Sequence, residues 1–574
     1  MTKKIEELRS QRWYAGTDTR GFTHRQRSQQ IGLRREEFMG KPVIAIINTW
    51  SDLSPCHSHL RDRAEAVKRG VWQAGGYPVE LPAMSLGEVM VKPSTMLYRN
   101  FLAMEAEELL RSLPIDGAVL LGGCDKTTPG LLMGAISMDL PAIYCPAGPM
   151  SNGRWHNERV GAGTHTKKFW NEKQAGNVSE TEWVELEAVM TRSIGTCNTM
   201  GTASTMTSIV DALGMCLPGA SSIPAADSGH VRMASACGVR AVAMVWEDLK
   251  PSKIINAQSV HNAAVACMAL GGSTNAAIHL IAIARRAGVD LSLDDMAAVA
   301  DKVPLCANLF PAGTYLMEDF FFAGGLMAQL GKLGAFLHPQ CITVNGKTLG
   351  ENIAKVQCQN DDVIRAPEAA VVPLSRGVTL AVMRGNLCPD GAIMRTSVAD
   401  PALLQHEGRA WVFESPADVV ARIENPEIAA GDVLVLRNGG PVGAPGMPEW
   451  GNLPIPKHLL QQGVRDMVRI SDCRMSGTHY GTCVLHVAPE AAIGGPLALL
   501  VEGDRVRLDV PGRRLDMLVP EAEIARRRAL WVAPPDLYPR SYAKLYREHV
   551  GQAPDGCDFD FLERGGSVPE PEIF

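Results

Sequence analysis

Short apolar runs alternate with longer segments of helical period through the first two-thirds of the chain. The run inside "KPVIAIINTW" (41–50) is unbroken and rich in β-branched residues, as a strand buried on both faces requires. "HLRDRAEAVKRGVWQAGG" (59–76) follows with helical spacing and a glycine stop. "STMLYRNFLAMEAEELLRSL" (94–113) repeats the helical pattern, and "DGAVLLGG" (116–123) and "PAIYCPAG" (141–148) repeat the strand pattern. "GSTNAAIHLIAIARRAG" (272–288) opens on Ser-Thr-Asn and closes on a basic turn and a glycine, which are helix-cap signals at both ends. This alternation predicts an α/β domain with a mainly parallel sheet.

The texture changes near residues 360–390, where short β-rich runs are broken by Pro and Gly. "DVLVLRN" (432–438) and "GDRVRLDVPGRRLDMLV" (503–519) continue it, which predicts a smaller, β-rich, barrel-like domain. The expected division is 1–366 and 367–574. With 574 residues, 46% hydrophobic and 21% charged, the chain has the composition of an ordinary globular protein. Its 56 basic and 62 acidic side chains give a net charge of −6, which offers nothing to nucleic acid or a membrane surface. The opening "MTKKIEELRSQRWYAG" lacks the apolar core of a signal peptide. No apolar run reaches the roughly 18 to 20 residues of a membrane span, so the expected compartment is the cytoplasm.

The 14 cysteines are spaced singly, without a CxxC pair, so a disulfide framework is not expected in a reducing compartment. Three of them sit where strand-following loops are predicted: Cys56 after "IINTWSDLSPC", Cys124 after "AVLLGG", and Cys197 in "SIGTCNTMGTAST". Such loops converge on one crevice, and three thiolates there can hold an iron–sulfur cluster with one iron site open to act as a Lewis acid. Taken singly, each reads first as a buried small hydrophobe, the usual place of a lone cysteine. Asp125 and Lys126 follow Cys124 directly in "GGCDKTTPG", which ends in a Pro-Gly break, and Glu88 lies in "AMSLGEVM". Their oxygens suit Mg²⁺. A lysine ammonium does not, so Lys126 reads either as a salt-bridge partner or as an amine converted to an anionic group. In "SDCRMSGT" (471–478) Ser476 precedes a glycine and has no neighbouring histidine base, so it is either a turn serine or a base activated by a metal.

Taken together, "SPCHSHL" (54–60), "GGCDKTTPG" (122–130), "GTCNTMGTAST" (195–205), "GGSTNAAIHL" (271–280), "GNLCPDGAI" (385–393), "GGPVGAPGMPEW" (439–450) and "SDCRMSGT" strongly resemble the dehydratase family that includes dihydroxyacid dehydratase and 6-phosphogluconate dehydratase. The resemblance implies a hydro-lyase converting a 2,3-dihydroxy acid to a 2-keto-3-deoxy acid. It implies a [2Fe–2S] cluster on Cys56, Cys124 and Cys197, and Mg²⁺ on Glu88, Asp125 and Glu449 with a carbamylated Lys126. It further implies Ser476 as the base and a homodimer or homotetramer, and it leaves Thr478 as a candidate substrate contact. "RMSGTHYGT" (474–482) and the tail "YAKLYREHVGQAPDGCDFDFLERGG" (542–566) look like the sugar-acid branch, acting on a pentonate such as L-arabinonate or D-xylonate, with hexonates and glycerate as further candidates. The alternatives are a dihydroxyacid dehydratase of branched-chain amino acid biosynthesis and a cluster-bearing regulatory protein. The GGSTN segment reads as a helix cap that can also receive an anion.

Overall fold

The computed structural model describes residues 3–562 and 568–573; the last part of the tail motif, residues 563–566, lies outside them. The first domain is built on strands β1 (Val43–Asn48), β2 (Tyr77–Pro82), β3 (Gly117–Gly122) and β4 (Ala142–Pro146). They form one parallel sheet in the order β2-β1-β3-β4. β1, β3 and β4 are buried along their whole length, which explains their unbroken apolar sequence. The helices Leu60–Gln73, Arg99–Ser112 and Thr127–Met138 make the successive crossovers, so the strands all point their carboxyl ends the same way.

Two elements depart from expectation. Residues 94–113 are a short 3-10 turn, Thr95–Tyr98, followed by the helix Arg99–Ser112, rather than one helix. "TTPG" is no break: Thr127 starts a helix, and Pro129 sits within its first turn, where a missing N–H costs nothing. That helix is buried on almost every side, so it lacks the polar stripe by which a surface helix is recognised.

Glycines set the closest helix contact. The helices Leu60–Gln73 and Ser228–Glu247 cross at Gly70 and Gly238. A Cβ on Gly70 would lie 1.9 Å from the Ser235 carbonyl oxygen, and one on Gly238 would lie 2.2 Å from that of Val67. Gly70→Ala is therefore expected to force the helices apart and cost about 1–3 kcal/mol, seen as a lowered midpoint in denaturant unfolding.

A hairpin, β5 (Gly153–Trp155) and β6 (Glu158–Val160), precedes the helix Thr164–Ala175. The second domain carries β7 (Ala381–Met383), β8 (Gly391–Met394), β9 (Gln405–Phe413), β10 (Val433–Leu436), β11 (Val468–Ser471), β12 (Cys483–Ala488), β13 (Arg505–Asp509) and β14 (Arg514–Met517). They form one sheet ordered β14-β13-β9-β10-β11-β12-β8-β7, and a bridge between Arg384 and Arg514 brings its two ends back together. The result is the nearly closed, barrel-like sheet expected. It is mixed: β9 to β12 run parallel and the remaining pairs antiparallel. Residues alternate between its faces, with Val412, Val433 and Val435 in one apolar cluster and Trp411, Phe413, Leu434 and Leu436 in another.

The tail returns to the first domain. The Arg286 guanidinium is fully inside the protein and bonds Asp558 at 2.5 and 3.0 Å, while Arg99 donates to the carbonyls of Gly556 and Cys557. Among the described residues no helix is long and apolar enough to cross a membrane.

Candidate active site

The carboxyl ends of all four parallel strands meet at one cavity of about 490 Å³, the position at which open α/β sheets bind ligands. The loop after β1 brings Cys56, that after β2 brings Glu88, and that after β3 brings Cys124 and Asp125. Cys197 comes from farther along the chain. Its loop is drawn back to the end of β4 by the bond from the Thr196 N–H to the Gly148 carbonyl (2.9 Å) and that from the Met150 N–H to the Thr196 carbonyl (2.9 Å). His57 ties two of these loops together, accepting from the Cys124 N–H at 3.0 Å. The second domain closes the cavity with Glu449, after β10, and with Ser476 and Thr478, after β11. The sequence-predicted residues thus line one cavity, except Lys126, which is fully buried among the carboxylates.

Lys126 Nζ stands 3.1 Å from Glu88, 3.3 Å from Asp125 and 3.4 Å from Glu449. Arg474, also fully buried, donates to Glu449 at 2.9 Å and to the Ser94 hydroxyl at 2.9 Å. The Thr95 hydroxyl donates to Glu88. Burial first, and then the charges of Glu449 and Asp125, lift the Glu88 carboxyl to about 7 against the pull of Lys126. Asp125 is raised by the same burial. Glu449 goes the other way: burial pushes it up, but Lys126 and Arg474 outweigh burial and hold it well below the usual carboxylate range. Burial and Arg474 oppose the Lys126 charge, and the three carboxylates overcome both, keeping the amine above its ordinary value.

The thiols are likewise short of positive charge. The adjacent Cys124 thiol, and then burial, push Cys56 well up, and burial followed by the Asp125 charge pushes Cys197 up. A thiol becomes a thiolate in such surroundings when a cation binds it. As the side chains stand, among the described residues, no three His, Cys, Asp or Glu form a closed metal-holding group, and the Lys126 amine occupies the space between the carboxylates. The donor set fits two cations of different hardness, with three thiols free of disulfides for a soft one and three crowded carboxylates for a hard one.

The serine loop is fixed mainly through its backbone carbonyls, and the Ser476 hydroxyl adds a long bond accepted from the Thr478 N–H (3.4 Å). Arg395 donates to the Gly477 carbonyl (2.7 Å) and the Thr164 hydroxyl to that of Thr478 (2.6 Å). A Cβ on Gly163 would lie 2.1 Å from Thr478 Oγ1, and one on Gly477 would lie 2.6 Å from Ser273 Oγ, so both glycines are needed for the approach. Ser476 Oγ lies 2.9 Å from Thr478 Oγ1. Asn275 donates to Glu449 (2.8 Å), to the Met475 carbonyl (3.1 Å) and to Thr202 (3.0 Å), which joins Glu449 to the serine loop. The GGSTN segment therefore does more than cap: Thr274 is the N-cap but its side chain caps nothing, while Ser273 and Asn275 position the opposite domain.

Sequence reasoning did not single out Arg474, Asn275, His57 or Thr95. His57, Arg474 and Asn275 fall within SPCHSHL, SDCRMSGT and GGSTNAAIHL, and Thr95 within the helical stretch 94–113; for Arg474 the available signal was an arginine beside an apolar strand end. His479 and Lys92 also line the cavity without having been singled out.

The chain's two halves match the descriptions "Dihydroxy-acid/6-phosphogluconate dehydratase N-terminal" over residues 41–352 and "Dihydroxy-acid/6-phosphogluconate dehydratase C-terminal" over residues 362–557. It is 65% identical to the 6-deoxy-6-sulfo-D-gluconate dehydratase of Pseudomonas putida, covering 100% of this chain and 99% of that one. It is 50% identical to the L-arabinonate dehydratase of Rhizobium leguminosarum bv. trifolii, covering 99% of each. It is 39% identical to the dihydroxy-acid dehydratase of Pyrococcus abyssi, covering 93% of this chain and 97% of that one. The class these define is a hydro-lyase, an enzyme that removes water from a carbon–oxygen bond. The chain belongs to the dihydroxy-acid/6-phosphogluconate dehydratase family.

Proposed function

We propose that this chain dehydrates a sugar acid across C2 and C3, releasing the 2-keto-3-deoxy acid. The observation that carries the reading is the meeting of three thiols, three carboxylates and Ser476 around one cavity between the domains. Cys56, Cys124 and Cys197 would hold a [2Fe–2S] cluster, and Glu88, Asp125, Glu449 and a carbamylated Lys126 would hold Mg²⁺. Bound, the two supply Lewis acidity to the departing hydroxyl and to the carboxylate end of the substrate.

The protein's own part is the proton transfer. Ser476, ionised, takes the C2 proton at Oγ; the C2–H electron pair forms the C2=C3 bond as the C3–O bond breaks, and the leaving hydroxide takes the proton from Ser476 Oγ to depart as water, which restores the ionised serine. The enol left behind tautomerises to the keto acid, so no electron is gained or lost overall. Thr478 Oγ1, at 2.9 Å, orients the serine oxygen. Arg474 and Asn275 hold Glu449 in place beneath it.

The first substrate to test is 6-deoxy-6-sulfo-D-gluconate, because the relative of that name is 65% identical over the full chain. A pentonate is the second reading, supported by the L-arabinonate dehydratase at 50%. Keto-acid release by anaerobically purified protein, assayed across C5 and C6 sugar acids and 2,3-dihydroxyisovalerate, tests it. Turnover of the branched-chain acid alone would overturn the sugar-acid reading. In the same assay a chelator is expected to abolish turnover, and added Mg²⁺ to restore it, while the visible absorbance stays constant.

A further inference from the structure

Lys92 stands apart among the cations around the cavity. Lys126 is surrounded by three carboxylates, and Arg474 is committed to Glu449 and Ser94. His479 lines the cavity, but burial and then the nearby Lys167 charge hold its imidazole down to about 4, so it is neutral at neutral pH. Lys92 lines the same cavity and is exposed, and among the described residues its amine has neither an ion pair nor a hydrogen bond. It rides on a loop secured on both sides, by Glu88 on the Thr95 hydroxyl and by Ser94 on Arg474.

The surroundings favour a negative ligand. Ala162, Gly163 and Thr166, at the N-terminal end of the helix Thr164–Ala175, line the cavity too, where the helix dipole is positive. Lys167, in the same turn, has no ion pair among the described residues. In the reading above the substrate carboxylate faces the Mg²⁺ ligands, which leaves these positive groups for a second anion.

We infer that Lys92 is a specificity-determining residue for a sugar acid carrying a second anion, a sulfonate, at the carbon farthest from its carboxylate. This rests on the sugar-acid reading above. A lysine ammonium meets such an oxyanion as a point charge, without demanding one geometry.

The test uses anaerobically purified holoenzyme, as wild type, Lys92→Met, Lys92→Arg and Lys167→Met, with 6-deoxy-6-sulfo-D-gluconate and D-gluconate. These acids share a carbon chain and differ in charge at C6. Lys92→Met is expected to lower the preference for the sulfonate, read as the ratio of kcat/KM values, roughly tenfold and through KM. Lys92→Arg restores most of it, and raising the salt concentration erodes it in the wild type. An equal change for both acids, or a loss confined to Lys167→Met, would overturn the assignment. Calorimetric binding of the sulfonate decides the matter independently of turnover: wild type binding it no more tightly than Lys92→Met sinks the inference. An enzyme that binds both acids but releases no keto acid refutes the functional reading instead.

Discussion

Ser476→Ala is expected to lose turnover by about 10²–10⁴-fold while keeping its iron content and visible spectrum. The size follows from removing the group that takes the C2 proton. The retention of everything else follows from how the loop is held. Its fixed points are the carbonyls of Gly477 and Thr478, received by Arg395 and Thr164, and the glycine contacts around Thr478, none of which uses the serine hydroxyl. Ser476 Oγ itself meets Thr478, whose hydroxyl lies 2.9 Å away and whose N–H donates to it at a long 3.4 Å, a weak bond to lose. A variant with full activity would remove Ser476 from the mechanism, and a variant that lost its iron would show that the loop, rather than the oxygen, had been disturbed.

Cys124→Ser is expected to purify folded, with its far-ultraviolet dichroism unchanged, but with its visible absorbance and iron reduced to near background and its activity gone. A serine oxygen keeps the shape and loses the soft ligand. The backbone around it has other anchors: the Cys124 N–H bonds His57 and its carbonyl receives the Thr127 hydroxyl at 2.9 Å, neither involving sulfur. Cysteines such as Cys267 or Cys388, buried in apolar surroundings away from the cavity, serve as controls whose serine variants keep the spectrum. Normal iron in Cys124→Ser would strike that residue from the ligand set.

Much of the framework was legible along the chain. β1, β3 and β4 announce themselves because a strand covered on both faces must be apolar throughout. The placement of Cys56 and Cys124 followed from the same reading, since both lie just beyond such strands. Local pattern failed where the controlling contact is distant. Arg474, a charged residue in a polar loop, is fully buried because Glu449 and Ser94, brought from elsewhere in the chain, satisfy it. Asn275 looked like a cap residue, and its amide instead spans the two domains. The helix Thr127–Met138 was missed because Pro129 and Gly130 are breakers by composition but harmless in a first turn, and Gly130 lets the helix lie against Leu102 and the Arg99 backbone.

The ion pair between Arg286 and Asp558 bears on when the enzyme can first work. Asp558 follows every strand of the barrel along the chain, so until the tail arrives the Arg286 guanidinium has in the first domain the Ser137 hydroxyl and Glu107, which is 3.9 Å away and already bonded to Arg111. The first domain therefore reaches its final packing only with the tail docked against it, and the active site is complete once both are in place.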